Sequence, residues 1–254
     1  MKSVLTIAGS DPSGGAGLQA DLKVFMSMGT YGLSVPTVLT AQNSEGVIDI
    51  QELSSDFFMK QLDVLLSDIS PDAVKIGMVY NTDFVEIIAR KVMEESLVNI
   101  VLDPVTVSSS GTPLSKDGTL DAIRDHLFPV ARVITPNIYE TFALTGIEIH
   151  NVADMKNAAV KLLDLGSESV IITGGHLKNR AIDLLFDGED FIELESERLE
   201  GDFHGTGCVF SSAVAAGLAL GYDLRESAVK SKDLILKAME SAIQIGKGMK
   251  MLKL

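Results

Sequence analysis

Short runs of β-branched and aliphatic residues alternate with stretches at helical spacing almost from end to end. No other feature limits the fold as strongly. Val4–Ala8 reads as a buried strand, followed by Leu18, Leu22, Phe25 and Met26 at helical spacing. Leu33–Ala41 reads as a second strand, bent or edge-like at Pro36, because proline cannot donate to a ladder. Ser54 is placed to cap a helix carrying Phe58, Leu62, Leu65 and Leu66. The alternation continues with strand Ala73–Ile76, helix Asp83–Glu94, strand Asn99–Leu102 and a helix near Leu120–Leu127. Strand Val133–Thr135, helices Tyr139–Leu144 and Ala153–Leu165, and strand Ser169–Thr173 follow. A hairpin-like pair, Ile182–Phe186 and Phe191–Leu194, is joined by Asp187-Gly188, and helices Cys208–Leu220 and Leu224–Gly246 close the chain. The pattern predicts an α/β fold with a mainly parallel central sheet flanked by helices on both faces. No repeat, low-complexity segment or linker interrupts it, so a single domain over residues 1–254 is expected.

The 254 residues are 46% hydrophobic, ample for one large core. A formal charge of −14 argues against a surface built for nucleic acid or anionic lipid. It leaves anionic small molecules open, because backbone N–H groups bind phosphate inside acidic proteins. Cys208 is the only cysteine, which rules out an intramolecular disulfide and a cysteine-based structural zinc site. The apolar run at the N-terminus is too short for a signal segment, and no stretch approaches the ~20 apolar residues of a membrane span. A soluble, cytoplasmic protein is expected, with a homodimer as its assembly.

In sheets of this kind ligands bind at the carboxyl ends of the strands. The polar and glycine-rich clusters Gly9–Gly17, Gln42–Gly46, Asp103–Gly111, Thr135–Asn137 and Thr173–His176 all fall there. Gly9–Gly17 joins the first strand to the first helix, either as a structural turn or as a ligand loop. It is not a P-loop, since Gly15 stands where the lysine should be. Gly15–Ala20 matches the permissive dinucleotide pattern GxGxxA, but the second strand ends in Gln42-Asn43 without an acid for a ribose. Asp21 and Gln42 could pair with a heteroaromatic ring bearing amino and ring-nitrogen groups, or be solvated polar residues. Asp103 and Glu140 follow strands and could hold Mg²⁺ with the help of waters, while Glu140 alone could serve a helix dipole. His204-Gly-Thr-Gly-Cys208 leads into an apolar helix, so several free N–H groups converge where a phosphoryl group could sit. Cys208 at that helix start is expected to have a lowered pKa and to accept a proton from a substrate hydroxyl, or else to pack the helix. His176 and Lys178 could meet a nucleotide phosphate, or Lys178 could be a surface cation.

These clusters resemble one family, the hydroxymethylpyrimidine/phosphomethylpyrimidine kinases of the ribokinase superfamily. The carrying residues are Thr6–Lys23, Thr40-Ala-Gln-Asn43, Lys75-Ile-Gly-Met78, Leu102-Asp-Pro-Val105, Ile134-Thr-Pro-Asn137 with Glu140, Gly174-Gly-His-Leu177 and His204–Cys208. They run in order along essentially the whole chain. The resemblance implies a ribokinase-like fold and two ATP- and Mg²⁺-dependent phosphorylations. The acceptors would be 4-amino-5-hydroxymethyl-2-methylpyrimidine and then its monophosphate, in thiamin biosynthesis. It also implies that Gly9, Asp21, Gln42 and Met78 line the pyrimidine, and that Gly205, Thr206, Gly207 and Cys208 form the anion hole. Cys208 would be the base, Asp103 and Glu140 would organise Mg²⁺, and Asn137, Thr173 and Gly175 would line the nucleotide.

Two positions depart from the family pattern. Thr173 stands where a lysine is usual, and Ser108-Ser-Ser-Gly111 replaces Ala-Lys-Ser-Gly, so that Ser109 also stands for a lysine. The loss of two cations bears on the second phosphorylation more than the first, and Lys178 and Lys75 are the cations left to stand in. Three alternatives accompany this reading: a pyridoxine/pyridoxal kinase, an NAD-linked oxidoreductase resting on Gly15–Ala20, and a non-catalytic pyrimidine-binding module.

Overall fold

The computed structural model describes residues 1–105, 107, 112–175 and 181–254. Two core clusters lie on opposite faces of one nine-stranded sheet of order β3-β2-β1-β4-β5-β6-β7-β8-β9. The strands are β1 Ser3–Ser10, β2 Tyr31–Asn43, β3 Gly46–Glu52, β4 Ala73–Ile76, β5 Ile100–Leu102, β6 Val133–Ile134, β7 Val170–Ile172, β8 Ala181–Phe186 and β9 Phe191–Ser196. Alternation along each strand divides the faces. In β1, Val4 packs with one cluster and Leu5 with the other, as side chains of period two require. Pairing from β2 through β1 and β4 to β7 is parallel, and β3, β8 and β9 add antiparallel strands at the two margins.

The helices are α1 Gly17–Ser27, α2 Ser55–Leu66, α3 Thr82–Glu94, α4 Thr119–Ala122, α5 Ile138–Thr145, α6 Val152–Leu163, α7 Thr206–Ala219 and α8 Leu224–Glu240. One face carries the buried sides of α2, α3 and α6, with Phe58, Phe84, Ile88 and Met155 against the sheet. The other carries α1, α7 and α8. Local caps set several starts: the Ser54 side chain accepts from Phe57 N–H, and Asn81 and Asn137 cap α3 and α5 the same way. The helix expected near Leu120–Leu127 begins as α4 and continues through a π turn at Ile123–Leu127 and a 3₁₀ turn at Phe128–Val130.

The structure adds a strand and corrects two expectations. β3 falls in a stretch to which no element is assigned above. It pairs with β2 as a hairpin, and its side chains are largely exposed, so no buried face marks it in the sequence. α8 stops at Glu240 rather than Gly246, and the following turns lead to a short strand β11, Lys250–Met251, which pairs with β10, Phe203–His204. β2 is flanked by β1 and β3 rather than lying at an edge, although pairing with β3 starts only at Val38. Pro36 therefore has no β3 partner, and the ladder between Ala8 and Ser10 is bulged opposite it.

β1 connects to β2 on one side, whereas β4 lies on its other side. This reversal opens a crevice at the carboxyl ends of β1 and β4, the usual binding place in such sheets.

Candidate active site

The crevice is built by the loop after β1, the end of β4 and the start of α7. Gly205 N-caps α7 with φ +78°, the left-handed region that suits glycine, and no side chain caps the helix among the described residues. A Cβ on Gly205 would collide with the Gly15 carbonyl, so the GTGC turn lies directly on the glycine loop. Asp11 staples that loop by accepting from Ser13 and Ala16 N–H, both at 2.8 Å. The first turn of α7 thus keeps several orphan N–H groups at the sheet edge, with Gly207 exposed and Thr206 half-buried.

At the other end of the crevice, a Cβ on Gly9 would touch the Met78 sulfur and Val38. Met78, Val38 and Leu114 form a small apolar cluster, joined by Val47, Ile50, Tyr80 and Val105. Gln42 lies half-buried, with one end of its amide 3.2 Å from His204 Nε2 and the other 3.2 Å from Thr40 Oγ1. Gly9 thus packs on Met78 and Val38, while Gln42 is held between His204 and Thr40.

Asp21 is placed differently. It lies beneath α7 with no exposed surface, and its carboxylate accepts from Thr6 Oγ1 at 2.5 Å and Ser212 Oγ at 2.6 Å. Lys75 Nζ donates to both oxygens at 3.1 and 3.0 Å. These bonds occupy the lone pairs a ring would need, so in this arrangement Asp21 supports the site from below rather than facing the heterocycle. Lys75 is equally buried, and it cannot stand in for a cation at the phosphates while it holds Asp21. Burial disfavours its charge, but Asp21, with Cys208 and Asp103 nearby, outweighs that and raises its pKa.

Asp103, at the end of β5, is also buried and accepts from Ser211 Oγ of α7 at 3.1 Å. Burial raises its pKa, against the pull of Lys75 and Ser211. Half-buried Cys208 shares this charged floor, and here the expected lowering of its pKa is overturned. Burial pushes the thiol up to about 12; Lys75 and the Gly17 N–H pull it down, while Asp103 and Asp21 push it further up. The helix N-terminus is too weak a field to overcome desolvation and two carboxylates. The resting group is a thiol.

The remaining expected residues gather at the ends of β6 and β7. Asn137 caps α5 and forms a bridge with Thr173, while Glu140 returns a bond to the Asn137 N–H in a capping box. Gly174 N–H donates to Asp183, leaving Gly175 exposed at the rim. Among the described residues no group of three or more His, Cys, Asp or Glu is arranged to hold a metal. Of the two carboxylates expected to hold Mg²⁺, Asp103 accepts from Ser211 on the buried floor and Glu140 accepts from the Asn137 N–H in the α5 cap. Ser109, His176 and Lys178 lie outside the described residues. Sequence reasoning gave no role to Asp11, His204, Ser211 or Ser212. The only signal for them was their membership of the Gly9–Gly17 and His204–Cys208 clusters or of the small-residue run beyond Cys208.

A doubly wound sheet with a glycine loop on the open N-terminus of a buried helix defines a ribokinase-like small-molecule kinase. Residues 11–253 match the family model described as phosphomethylpyrimidine kinase. The chain belongs to this family. It is 38% identical to the hydroxymethylpyrimidine/phosphomethylpyrimidine kinase of Bacillus subtilis, over 96% of this chain and 91% of that one. It is 44% identical to the thiamine biosynthesis bifunctional protein ThiED of Geobacter sulfurreducens, covering 97% of this chain but 51% of that protein. This chain thus spans about half the length of that bifunctional relative and nearly all of the shorter one. Among solved structures, an ADP complex of Bacillus subtilis pyridoxal kinase is similar with TM-score 0.91 and 38% identity, covering 100% of this chain and 97% of that one. The family match sets aside the NAD-linked alternative.

Proposed function

We propose that the protein transfers phosphoryl groups from ATP to 4-amino-5-hydroxymethyl-2-methylpyrimidine and then to its monophosphate, in thiamin biosynthesis. What supports this reading is that the Gly205 turn at the open start of α7 lies on the Gly15 carbonyl, that the adjoining His204 reaches Gln42, and that Gly9 packs on Met78. A hydroxymethyl group held beside Gly9, Met78 and Gln42 points its oxygen toward Cys208 and the helix start. Gly205, Thr206, Gly207 and Cys208 offer N–H groups to the charge that develops on the transferring phosphoryl group. Asn137, Thr173 and Gly175 line the nucleotide. Asp103 and Glu140 would hold Mg²⁺, which when bound neutralises phosphate charge.

A thiol with a pKa near 12 carries almost no thiolate at neutral pH. Cys208 therefore orients the substrate hydroxyl by hydrogen bonding, and the hydroxyl proton passes late to an oxygen of the transferred phosphoryl group as the new P–O bond forms and the bond to ADP breaks, as a loose transition state allows. Residues 1–254 are read as one kinase domain, acting as a cytoplasmic homodimer. In support of one domain, a single nine-stranded sheet gathers strands from Ser3 to Ser196, and no helix among the described residues is long and apolar enough to cross a membrane.

Pyridoxal is the second reading, favoured by the similarity to the Bacillus subtilis pyridoxal kinase structure. A coupled ADP-release assay on the pyrimidine alcohol, its monophosphate and pyridoxal separates the two. Turnover of pyridoxal alone would overturn the pyrimidine reading.

A further inference from the structure

His204 precedes the phosphoryl-binding turn, and of the two neutral tautomers of its ring the surroundings suit one. The ring is 8% exposed and lies against the Gly15 backbone beside Met251. Its Nε2 stands 2.9 Å from Asp11 Oδ2 and 3.2 Å from the Gln42 amide. Its Nδ1 is buried with no hydrogen-bond partner among the described residues. A neutral imidazole has one N–H. On Nδ1 that proton would be buried unpaired, and the Nε2 lone pair would face a carboxylate. On Nε2 it is donated to Asp11. Burial raises the Asp11 pKa, but the bonds from His204, Ser13 and Ala16 outweigh burial and lower it, so the acceptor is ionised at neutral pH.

An Nε2–H cannot also accept from an amide N–H. The end of the Gln42 side chain that faces the imidazole is therefore its oxygen, which takes the longer arm of a three-centre bond whose one Nε2 proton goes mainly to Asp11. The other end agrees. The single proton of Thr40 Oγ1 goes to the Ser10 carbonyl at 2.8 Å, leaving oxygen lone pairs for the amide nitrogen of Gln42 at 3.2 Å.

We propose that His204 is a positioning residue for substrate selection, through a chain Asp11–His204–Gln42–Thr40 that locks the Gln42 amide in one orientation. The proposal rests on the reading of Gln42 as a contact of the substrate ring. The locked amide keeps one N–H and one oxygen lone pair in fixed order for a ligand. An aminopyrimidine edge, with a ring-nitrogen acceptor beside an amino donor, matches that order one way round. Pyridoxal has no amino group beside its ring nitrogen and gains less from the lock. A free amide would rotate to serve either order, and the preference between the rings would shrink.

Nitrogen-15 NMR of histidine-labelled, ligand-free protein reads the tautomer directly, with the His204 signal assigned by its loss in His204→Gln. A proton on Nε2 is expected, and a proton on Nδ1 overturns the proposal whatever the substrate. The second arm measures KM and kcat on the aminopyrimidine alcohol and on pyridoxal for His204→Asn, His204→Gln and Thr40→Val, with thermal unfolding to confirm folding. His204→Asn is too short to reach both partners, and Thr40→Val breaks the chain from the far end. Each is expected to raise KM for the aminopyrimidine about tenfold, the effect of one lost hydrogen bond, with kcat within about twofold and pyridoxal little changed. His204→Gln places an amide nitrogen near the Nε2 position and is expected to restore most of the preference. Equal losses on both rings, or losses confined to kcat, in variants that fold overturn the proposal. If the unmodified protein phosphorylates neither ring, the assignment of Gln42 to the substrate fails instead, and the tautomer measurement still decides the proton arrangement.

Discussion

Beneath the first turn of α7, Lys75, Asp21 and Asp103 are buried and bond to one another or to Thr6, Ser211 and Ser212. At the rim above them Thr206, Gly207, Gly175 and Gln42 keep exposed surface, and the α7 donors have no side-chain cap. The floor and the rim are both polar, yet they use polarity in opposite ways. Floor charges satisfy each other and fix where α7 sits. Such a network holds geometry well, but an apolar replacement of the whole set can be as stable. Rim donors are left open, and open donors bind anions. Floor residues should therefore register first in folding, and rim residues in turnover.

The largest effect is expected from Lys75→Met, which strands a buried carboxylate and should destabilise the protein by about 3–5 kcal/mol in denaturant unfolding. Asp21→Leu added to it should recover much of that loss, and a single variant within about 1 kcal/mol of the parent would show the floor to be uncoupled. The pH dependence has a definite sign. Asp103 is held above its ordinary 3.8, so the folded protein binds that proton more tightly than the unfolded chain. Stability is then lost as pH rises from about that value through the folded pKa, and Lys75→Met should extend this loss to higher pH.

Cys208 stands between floor and rim and tests the comparison from the side of chemistry. Cys208→Ala should lower kcat about 10²-fold with KM for the pyrimidine little changed, near the lower end for a residue acting on the transferred proton. Cys208→Ser, which keeps a hydrogen-bonding group, should stay within about tenfold of the parent. A serine variant as slow as alanine would instead demand a thiolate. Unchanged turnover in Cys208→Ala would return the residue to packing.

A smaller effect is expected at Thr173, on the nucleotide side of the rim. A second phosphate brings like charges together in a protein of charge −14, with threonine where relatives have lysine. The expected result is a lower kcat/KM for the monophosphate than for the alcohol, with Thr173→Lys narrowing the gap several-fold. Equal efficiency on both, unaltered by the substitution, would make the departure harmless. The smallest effect belongs to the protein surface. Lys91 pairs with Asp63 and Glu94 at 2.8 Å on α2 and α3, as short as many contacts of the floor. Because both acceptors are about half exposed, Lys91→Ala should cost less than about 1 kcal/mol in the same unfolding assay. A loss as large as that of Lys75→Met would show that burial is not what separates the two.

The elements best read in advance are those whose cause is local. Ser54 caps α2 because its hydroxyl reaches a backbone N–H three residues on. β4, running through Ala73–Ile76, is a wholly buried apolar run apart from its lysine, and its limits are those read from sequence. β3 escaped because none of its side chains is fully buried: Val47 and Ile50 only partly cover the small cluster around Met78 and Ile48 is exposed, so the hairpin partner rather than any period makes it a strand. The site divides in the same way. Gly205, Gly9 and Met78 were recognisable from their motifs; the fold lays the Gly205 turn on the Gly15 carbonyl and packs Gly9 on Met78. The roles of Asp21 and Lys75 were not recognisable, because a charged residue on an otherwise regular helix or strand gives no sign of whether it meets water or a partner.

Sequence by itself determined most of the strands and helices, though not β3, β10 or β11, together with the Ser54 cap, the glycine turns at strand ends and the family, all of which rest on neighbours in the chain or on short motifs. Tertiary structure alone decided the chemical state of the site. Asp21 meets Lys75 across 54 positions and Ser212 across 191, and His204 meets Asp11 across 193. The same packing that brings them together excludes water, and the exclusion of water pushes the Cys208 thiol up where a helix start alone would have lowered it. Proton positions depend on the field of groups remote in sequence and on how much solvent is left among them, and neither exists until the chain has folded.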